Sequence, residues 1–289
     1  MKIYMNGKLV DKADAKVSVF DHGFLYGDGA FEGIRSYNSR VFRLKEHIDR
    51  LYETLHTLMI DPRMTKKQMS DALVSTLKAN KIKDGYIRLV VSRGEGDLGL
   101  DPRKCFGKPN VIIIADKINL YPAELYQKGM EIITVPTVKN HPNALNPQLK
   151  SLNYLNNIMA KMEAVHCGYN EAIMLEANGY IGECTGDNVF IYKDGVLSTP
   201  HLGRLKGITC GAILELASKM KIRIFEGYIT RHEVYNAEEC FLTGTGAELI
   251  PIVKVDGRVI GEGKPGAVTK KLLNAFYQLV KKDGVKYDV

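Results

Sequence analysis

Apolar residues recur at Leu44, Ile48, Leu51, Leu55 and Met59 within LKEHIDRLYETLHTLM, the three-and-four spacing of one helix face, and predict a helix over 44–59. A second helix is expected over 65–79. The pattern then changes to runs rich in β-branched residues, YIRLVVSR (86–93) and NVIIIAD (110–116), which predict strands. Ahead of the first helix the chain predicts only a short N-terminal strand and a polar loop. A tyrosine- and proline-containing stretch at 118–126 reads as the junction between a small N-terminal domain (1–117) and a larger C-terminal one (127–289).

Beyond that junction MEIITVPTV predicts a strand. SLNYLNNIMAKMEAVHC predicts a helix with Leu152, Leu155, Met159 and Met162 along one face. Asn178-Gly179, Asp194-Gly195 and Asp256-Gly257 each separate β-rich runs and predict hairpin turns. A helix is expected over 209–220, strands over 222–230 and 239–244, and a closing helix over 266–281. This mixture, with its antiparallel hairpins, predicts an α+β or mixed α/β fold rather than a regular βαβ succession.

Composition narrows the class. The chain has 289 residues, 45% apolar and 25% charged, ordinary values for a globular protein. The start, MKIYMNGKLVDK, is too polar for a signal peptide, and no apolar run approaches bilayer length, so no membrane association is expected. The five cysteines (Cys105, Cys167, Cys184, Cys210 and Cys240) lack CxxC spacing; they point away from a disulfide framework or zinc site and toward a reducing cytoplasm. The net charge of +7 is spread along the chain, with KK pairs only at 66–67, 270–271 and 281–282, so no nucleic-acid partner is expected. GEGDLG (94–99) matches a dinucleotide fingerprint, but Leu-Asp-Pro-Arg follows it where a helix should begin; it reads as a glycine-requiring loop.

Several residues carry candidate chemistry. Lys150, in LNPQLKSLNYLNN, has no acidic neighbour within several positions, and reads either as a solvated helix flank or as an amine kept for covalent chemistry. A helix starting near it would place Tyr154 one turn on, on the same side. GIT (207–209) opens a helix, as an ordinary N-cap or as a phosphate site built from free N–H groups, a hydroxyl and the helix dipole. Gly244, Thr245, Gly246 and Ala247 offer a similar donor set in a loop after a strand. Glu183 lies between small residues in a half-buried strand; it is either a buried carboxylate that needs a partner or a surface edge position.

KSLNYLN, GYIGECTGDNVF, LKGIT and TGTGAE, in that order and spacing, resemble the class IV pyridoxal-phosphate aminotransferases. With FEGIRSY (31–37), HIDRLY (47–52) and GYIRLVVSRG (85–94), the chain most resembles their branched-chain amino-acid aminotransferases, from about residue 3 to residue 280. The resemblance implies fold type IV and pyridoxal 5′-phosphate as cofactor. It implies that Lys150 forms the Schiff base and moves the proton, that Glu183 pairs with the pyridine nitrogen, and that Tyr154 bonds the phenolic oxygen. Leu205 would pack on the ring, with Arg50, the Ile208 and Thr209 amides and Thr245 on the phosphate. The helical pattern alone leaves Arg50 off the apolar stripe, as a solvated residue. For substrate, the resemblance implies the Gly246 and Ala247 amides and Tyr86 on the carboxylate with Arg88 in support. Tyr26, Phe31 and Gly33 would line the side-chain pocket, with Arg35 or Arg88 for the γ-carboxylate of glutamate.

The implied reaction is ping-pong: L-leucine, L-isoleucine or L-valine leaves as its 2-oxo acid, and 2-oxoglutarate becomes glutamate. A homodimer or higher oligomer is implied as well. Three positions depart from the family pattern: Cys210 after GIT, where relatives carry arginine; Cys184 within ECTGDN; and Gly246 in GTGAE, whose missing methyl suggests a looser turn and broader specificity. YGDGAFE (26–32) also resembles the D-amino-acid transaminases, and an aminodeoxychorismate lyase shares the fold; a non-catalytic anion-binding protein is the alternative from another class.

Overall fold

The computed structural model describes residues 1–117 and 121–289. The chain divides into two compact units: Met1–Ile118 with Leu149–Asn153 and Val280–Val289, and Asn119–Gln148 with Tyr154–Leu279. Two segments beyond the expected junction therefore belong with the first unit. Of the junction stretch 118–126, residues 118–120 lie outside the described residues, and a short helix begins at Ala123.

In the first unit, β1 (Lys2–Met5), β2 (Lys8–Asp11), β3 (Gly29–Tyr37), β4 (Arg40–Val41), β5 (Gly85–Ser92) and β6 (Asn110–Asp116) join a C-terminal strand, Val285–Lys286, in one sheet. Its helices are α1 (His22–Tyr26), α2 (Leu44–Thr57) and α3 (Lys66–Ala79). Leu44, Ile48, Leu51 and Leu55 of α2 are buried as their spacing requires. Met59 is not: the helix ends at Thr57, Met59 takes φ +54° in the solvent, and Ile60 enters the core instead. A capping box between Thr65 and Gln68 starts α3, which buries Met69, Leu73 and Leu77.

The stretch expected to be a polar loop before α2 contains α1 and the nine-residue β3, most of it buried. The alternation that reveals strands is masked in GAFEGIRSY by Glu32, a charge at a core-facing position, and by Gly33 between its apolar residues. Ala30, Glu32 and Ile34 share one face of β3 and Phe31, Gly33 and Arg35 the other.

In the second unit, β7 (Met130–Thr134), β8 (Ala172–Leu175), β9 (Ile181–Cys184), β10 (Asn188–Lys193), β11 (Val196–Pro200), β12 (Arg223–Gly227), β13 (Glu239–Gly244), β14 (Glu248–Val255) and β15 (Arg258–Val259) form a second sheet. β7 runs parallel to β8 and β14, and β11 to β12, while the other pairings are antiparallel. The helices are α4 (Ala123–Lys128), α5 (Pro142–Leu145), α6 (Leu155–His166), α7 (Ile208–Lys219), α8 (Arg231–Tyr235) and α9 (Ala267–Val280). Asp194-Gly195 and Asp256-Gly257 take φ of 48° and 78°, and 50° and 75°, the left-handed pair that a two-residue hairpin needs.

One helix face is reversed. Leu155, Ile158, Met159, Met162 and Val165 of α6 are between 46% and 68% exposed, while the helix buries Asn157, Ala160 and Ala164. Leu152 precedes the helix altogether. The small residues let α6 approach the core cluster around Val135, Ala172 and Met174, which a large apolar stripe would hold off.

Candidate active site

Lys150 is held by strand-like pairing rather than by a helix. Phe31 N–H donates to the Lys150 carbonyl at 3.0 Å, Leu152 N–H donates to the Gly29 carbonyl at 2.9 Å, and Ser151 bridges Ala30 in antiparallel register. This pins the backbone on both sides of the lysine, and its Nζ lies 4.4 Å from the centroid of the Phe31 ring. The expected helical relation between Lys150 and Tyr154 does not form. The bridge to β3 keeps Lys150 extended, and Tyr154 is the N-cap of α6, with φ −103° and ψ 8°.

The same sheet face carries Phe31, Gly33, Arg35, Tyr86 and Arg88 of the expected substrate residues. Gly33 pairs with Arg88 and Arg35 with Tyr86 across β3 and β5. The Arg88 guanidinium lies 4.6 Å from the Phe31 ring centroid and 5.5 Å from that of Tyr86. A methyl at Gly33 would sit 2.0 Å from the Tyr86 hydroxyl, so the glycine is what admits that phenol. Arg35 lies 5.1 Å from the Tyr37 ring. Tyr26 stands on α1, where its hydroxyl donates to the Leu98 carbonyl at 2.5 Å.

Arg50 is buried, against its reading as a solvated residue. Its Nε and Nη2 donate to the two oxygens of Glu32 at 2.7 and 2.8 Å, and His47 Nδ1 donates to Glu32 Oε2 at 2.8 Å. Burial alone would raise the Glu32 carboxyl, but the Arg50 guanidinium and the His47 ring outweigh it and hold the group at about 2. Burial lowers His47, against the pull of Glu32. Arg50 leaves the apolar stripe of α2 because it answers a charge buried on β3, a long-range pairing that helical periodicity does not encode.

In the second unit Glu183, on β9, is a buried carboxylate with partners. Its Oε2 accepts from Leu205 N–H at 2.9 Å and from Asn188 Nδ2 at 3.4 Å, and its Oε1 lies 2.6 Å from Lys139 Nζ. Asn188 Nδ2 also donates to the Leu205 carbonyl at 3.0 Å, fixing the segment that leads into α7. At Gly207, the N-cap of α7, a side chain would strike Asn188 Oδ1 at 2.1 Å. The first-turn amides of Ile208 and Thr209 follow, with no N-cap side chain to satisfy them. Thr245, Gly246 and Ala247 form the turn between β13 and β14; the Tyr126 hydroxyl donates to the Ala247 carbonyl at 3.0 Å, and Glu248 takes φ +60°. Lys139, Asn157 and Asn188 escaped the sequence reading. Only Asn188 carried a signal, as the last residue of ECTGDN.

The family Amino-transferase class IV matches residues 29–255. The chain belongs to the class IV aminotransferases. A relative from Methanocaldococcus jannaschii, called a putative branched-chain-amino-acid aminotransferase, is 51% identical and is covered fully, as is this chain. The crystal structure of the Escherichia coli branched-chain amino acid aminotransferase is 35% identical with a TM-score of 0.94, over 99% of this chain and 97% of that one. That of the branched-chain amino acid aminotransferase from Thermobaculum terrenum, in its pyridoxal-phosphate holo form, is 26% identical with a TM-score of 0.88, over 96% and 93%. The fold is therefore that of fold type IV enzymes.

The chain's donors fit the family cofactor. A buried carboxylate held by backbone and amide donors suits a protonated ring nitrogen, and uncapped amides at a twelve-residue helix suit a phosphate. The family departures leave both intact. Cys210 is buried on α7 at 3.5 Å from Arg204 Nη1, burial pushing its thiol to about 11, and Cys184 is buried on β9.

Proposed function

We propose that this chain is a pyridoxal 5′-phosphate-dependent aminotransferase that moves the amino group of L-leucine, L-isoleucine or L-valine to 2-oxoglutarate. The relatives it matches over all or nearly all of their length carry the branched-chain name. The observation that carries the site assignment is the Lys150 amine, pinned through its backbone to β3 and placed over Phe31.

When bound, the cofactor supplies an electron sink for bond breaking at the substrate α-carbon. Lys150 would hold it through its amine and would take and return the proton at the substrate α-carbon. Glu183 would accept from the ring nitrogen, Tyr154 would donate to the phenolic oxygen, and Leu205 would pack on the ring. The phosphate would be held by the Ile208 and Thr209 amides, Thr245 and Arg50. The Gly246 and Ala247 amides with Tyr86 orient the substrate carboxylate, and Arg88 supports them. Phe31, Tyr26 and Gly33 accept the branched side chain. Arg88 or Arg35 neutralises the γ-carboxylate of glutamate, since a charge entering an apolar pocket needs a partner.

The assembly we propose is a homodimer or larger homo-oligomer, supported by the exposed apolar stripe on α6, which would match its own copy across a two-fold axis. Five free cysteines suit a reducing compartment, the cytoplasm. Among the described residues no helix is long and apolar enough to cross a membrane.

The test is a half-reaction without any oxo acid. Loss of the bound cofactor's visible absorbance with L-leucine, but not with D-alanine, is expected. Loss with D-alanine alone would move the activity to D-amino acids. A Lys150→Ala variant should keep the fold and lose turnover, and near-wild-type rates from it would remove Lys150 from its role.

A further inference from the structure

The second unit contains a buried cation that the proposed reaction has not used. Lys139 lies in the loop after β7 and is only 6% exposed; Glu183, 7% exposed, lies beside it. Lys139 Nζ is 2.6 Å from Glu183 Oε1 and donates to Asn157 Oδ1 at 3.3 Å. Asn157 in turn donates to the Thr185 carbonyl at 2.8 Å, and the Lys139 amide donates to the Leu175 carbonyl at 2.8 Å. The lysine is thus fixed at its backbone by β8 and at its amine by α6 and β9. Most lysines keep the ammonium in water and bury only the stem. This one buries the charge as well.

A buried ion pair is a poor stability device. Desolvating both ions costs several kcal/mol each, and an apolar pair of the same volume often does as well. Its presence beside the carboxylate proposed for the ring nitrogen calls for another reason. The two oxygens of Glu183 are divided between different kinds of donor. Oε2 takes the uncharged Leu205 and Asn188 donors, while Oε1 takes the ammonium. A carboxylate whose two oxygens meet different donors stays in one rotamer. It also pulls less strongly on a second proton than a carboxylate bound by amides alone.

We propose that Lys139 is a positioning residue of the cofactor site: the countercharge that holds Glu183 in one orientation and that sets how strongly Glu183 holds the proton on the ring nitrogen. This rests on the assignment of Glu183 to that nitrogen. Lys139 acts through Glu183 and through no contact of its own with substrate. Asn157 is the strut that keeps the amine aimed at Oε1, which explains why α6 buries an asparagine on its core face.

The experiment uses the full chain and pyridoxal 5′-phosphate, with Lys139→Arg, Lys139→Gln and Lys139→Met in the wild-type background and in Glu183→Gln. Three quantities are read: the dissociation constant of the cofactor, the pH midpoint of its visible absorbance, and the thermal midpoint of the cofactor-free protein. The expected result is that Lys139→Met and Lys139→Gln weaken cofactor binding tenfold or more. They should also move the absorbance midpoint upward, because Glu183 without its countercharge pulls more strongly on the ring-nitrogen proton. Lys139→Arg should stay within threefold in affinity. In the Glu183→Gln background the neutral substitutions should change neither quantity further. Lys139→Gln, which keeps a donor for Glu183, carries the test if Lys139→Met does not fold.

If the neutral substitutions lower only the thermal midpoint, equally in both backgrounds, Lys139 is structural and the inference is overturned while Glu183 keeps its role. If Glu183→Gln by itself leaves affinity and absorbance unchanged, the Glu183 assignment fails, and this inference with it.

Discussion

Glu32→Gln tests the reasoning about the first unit most directly. Glu32 is wholly buried and accepts two hydrogen bonds from Arg50 and one from His47, at 2.7 to 2.8 Å. Glutamine keeps the volume but supplies one acceptor oxygen, and turns an NH2 group toward a donor that used to meet the other. Breaking one side of a buried ion pair costs about 3–5 kcal/mol. An independent route uses the depression of Glu32 from 4.5 to about 2. At about 1.4 kcal/mol per tenfold change in proton affinity, that depression amounts to roughly 3 kcal/mol. Both routes predict a loss of about 3 kcal/mol at neutral pH, read from the urea midpoint of the first unit's transition.

The folded-state value lies below the unfolded one, so this stability is present above about pH 4.5 and is lost as the pH falls toward 2. The gap between wild type and variant should therefore be open at pH 7 and close over that window. Arg50→Met in the Glu32→Gln background should cost less than its effect alone, since the two charges answer each other. A Glu32→Gln loss under about 1 kcal/mol, or a gap independent of pH, would refute the account. Cofactor affinity should fall together with stability, because Glu32 aims the guanidinium proposed for the phosphate.

Burial and the neighbouring Glu171 carboxylate raise Asp187 to about 7. Its stabilising contribution is therefore complete below about pH 4 and is lost as the pH rises through 7. Asp187→Asn should be more stable than wild type at pH 8 and flatten the decline between about pH 4 and 7 in urea midpoints; a parallel decline would contradict the assignment. Gly33→Ala places a methyl 2.0 Å from the Tyr86 hydroxyl and should lower kcat/KM for L-leucine tenfold or more with little change in thermal midpoint. Met162→Lys on the exposed stripe of α6 should shift the protein toward monomer in sedimentation equilibrium, and an unchanged mass would remove α6 from the interface.

What the sequence determined by itself was local chemistry and periodicity. The helices at Leu44–Thr57 and Lys66–Ala79 follow from apolar spacing and a capping box, and two Asp-Gly hairpins follow from residues that tolerate positive φ. Motif order was enough to assign the family. Tertiary structure decided wherever a residue answers a partner far along the chain. Glu32 disguised β3 because its charge is neutralised from α2, and Arg50 left the apolar stripe for the same reason. Lys150 became extended rather than helical because β3 offered it backbone partners. α6 turned its large side chains outward because only small ones fit against its core. Lys139 was invisible because nothing in its own segment announces the carboxylate it meets. Periodicity reports which side of an element faces the core, but a buried charge and its countercharge are joined by the fold, and no local pattern links them.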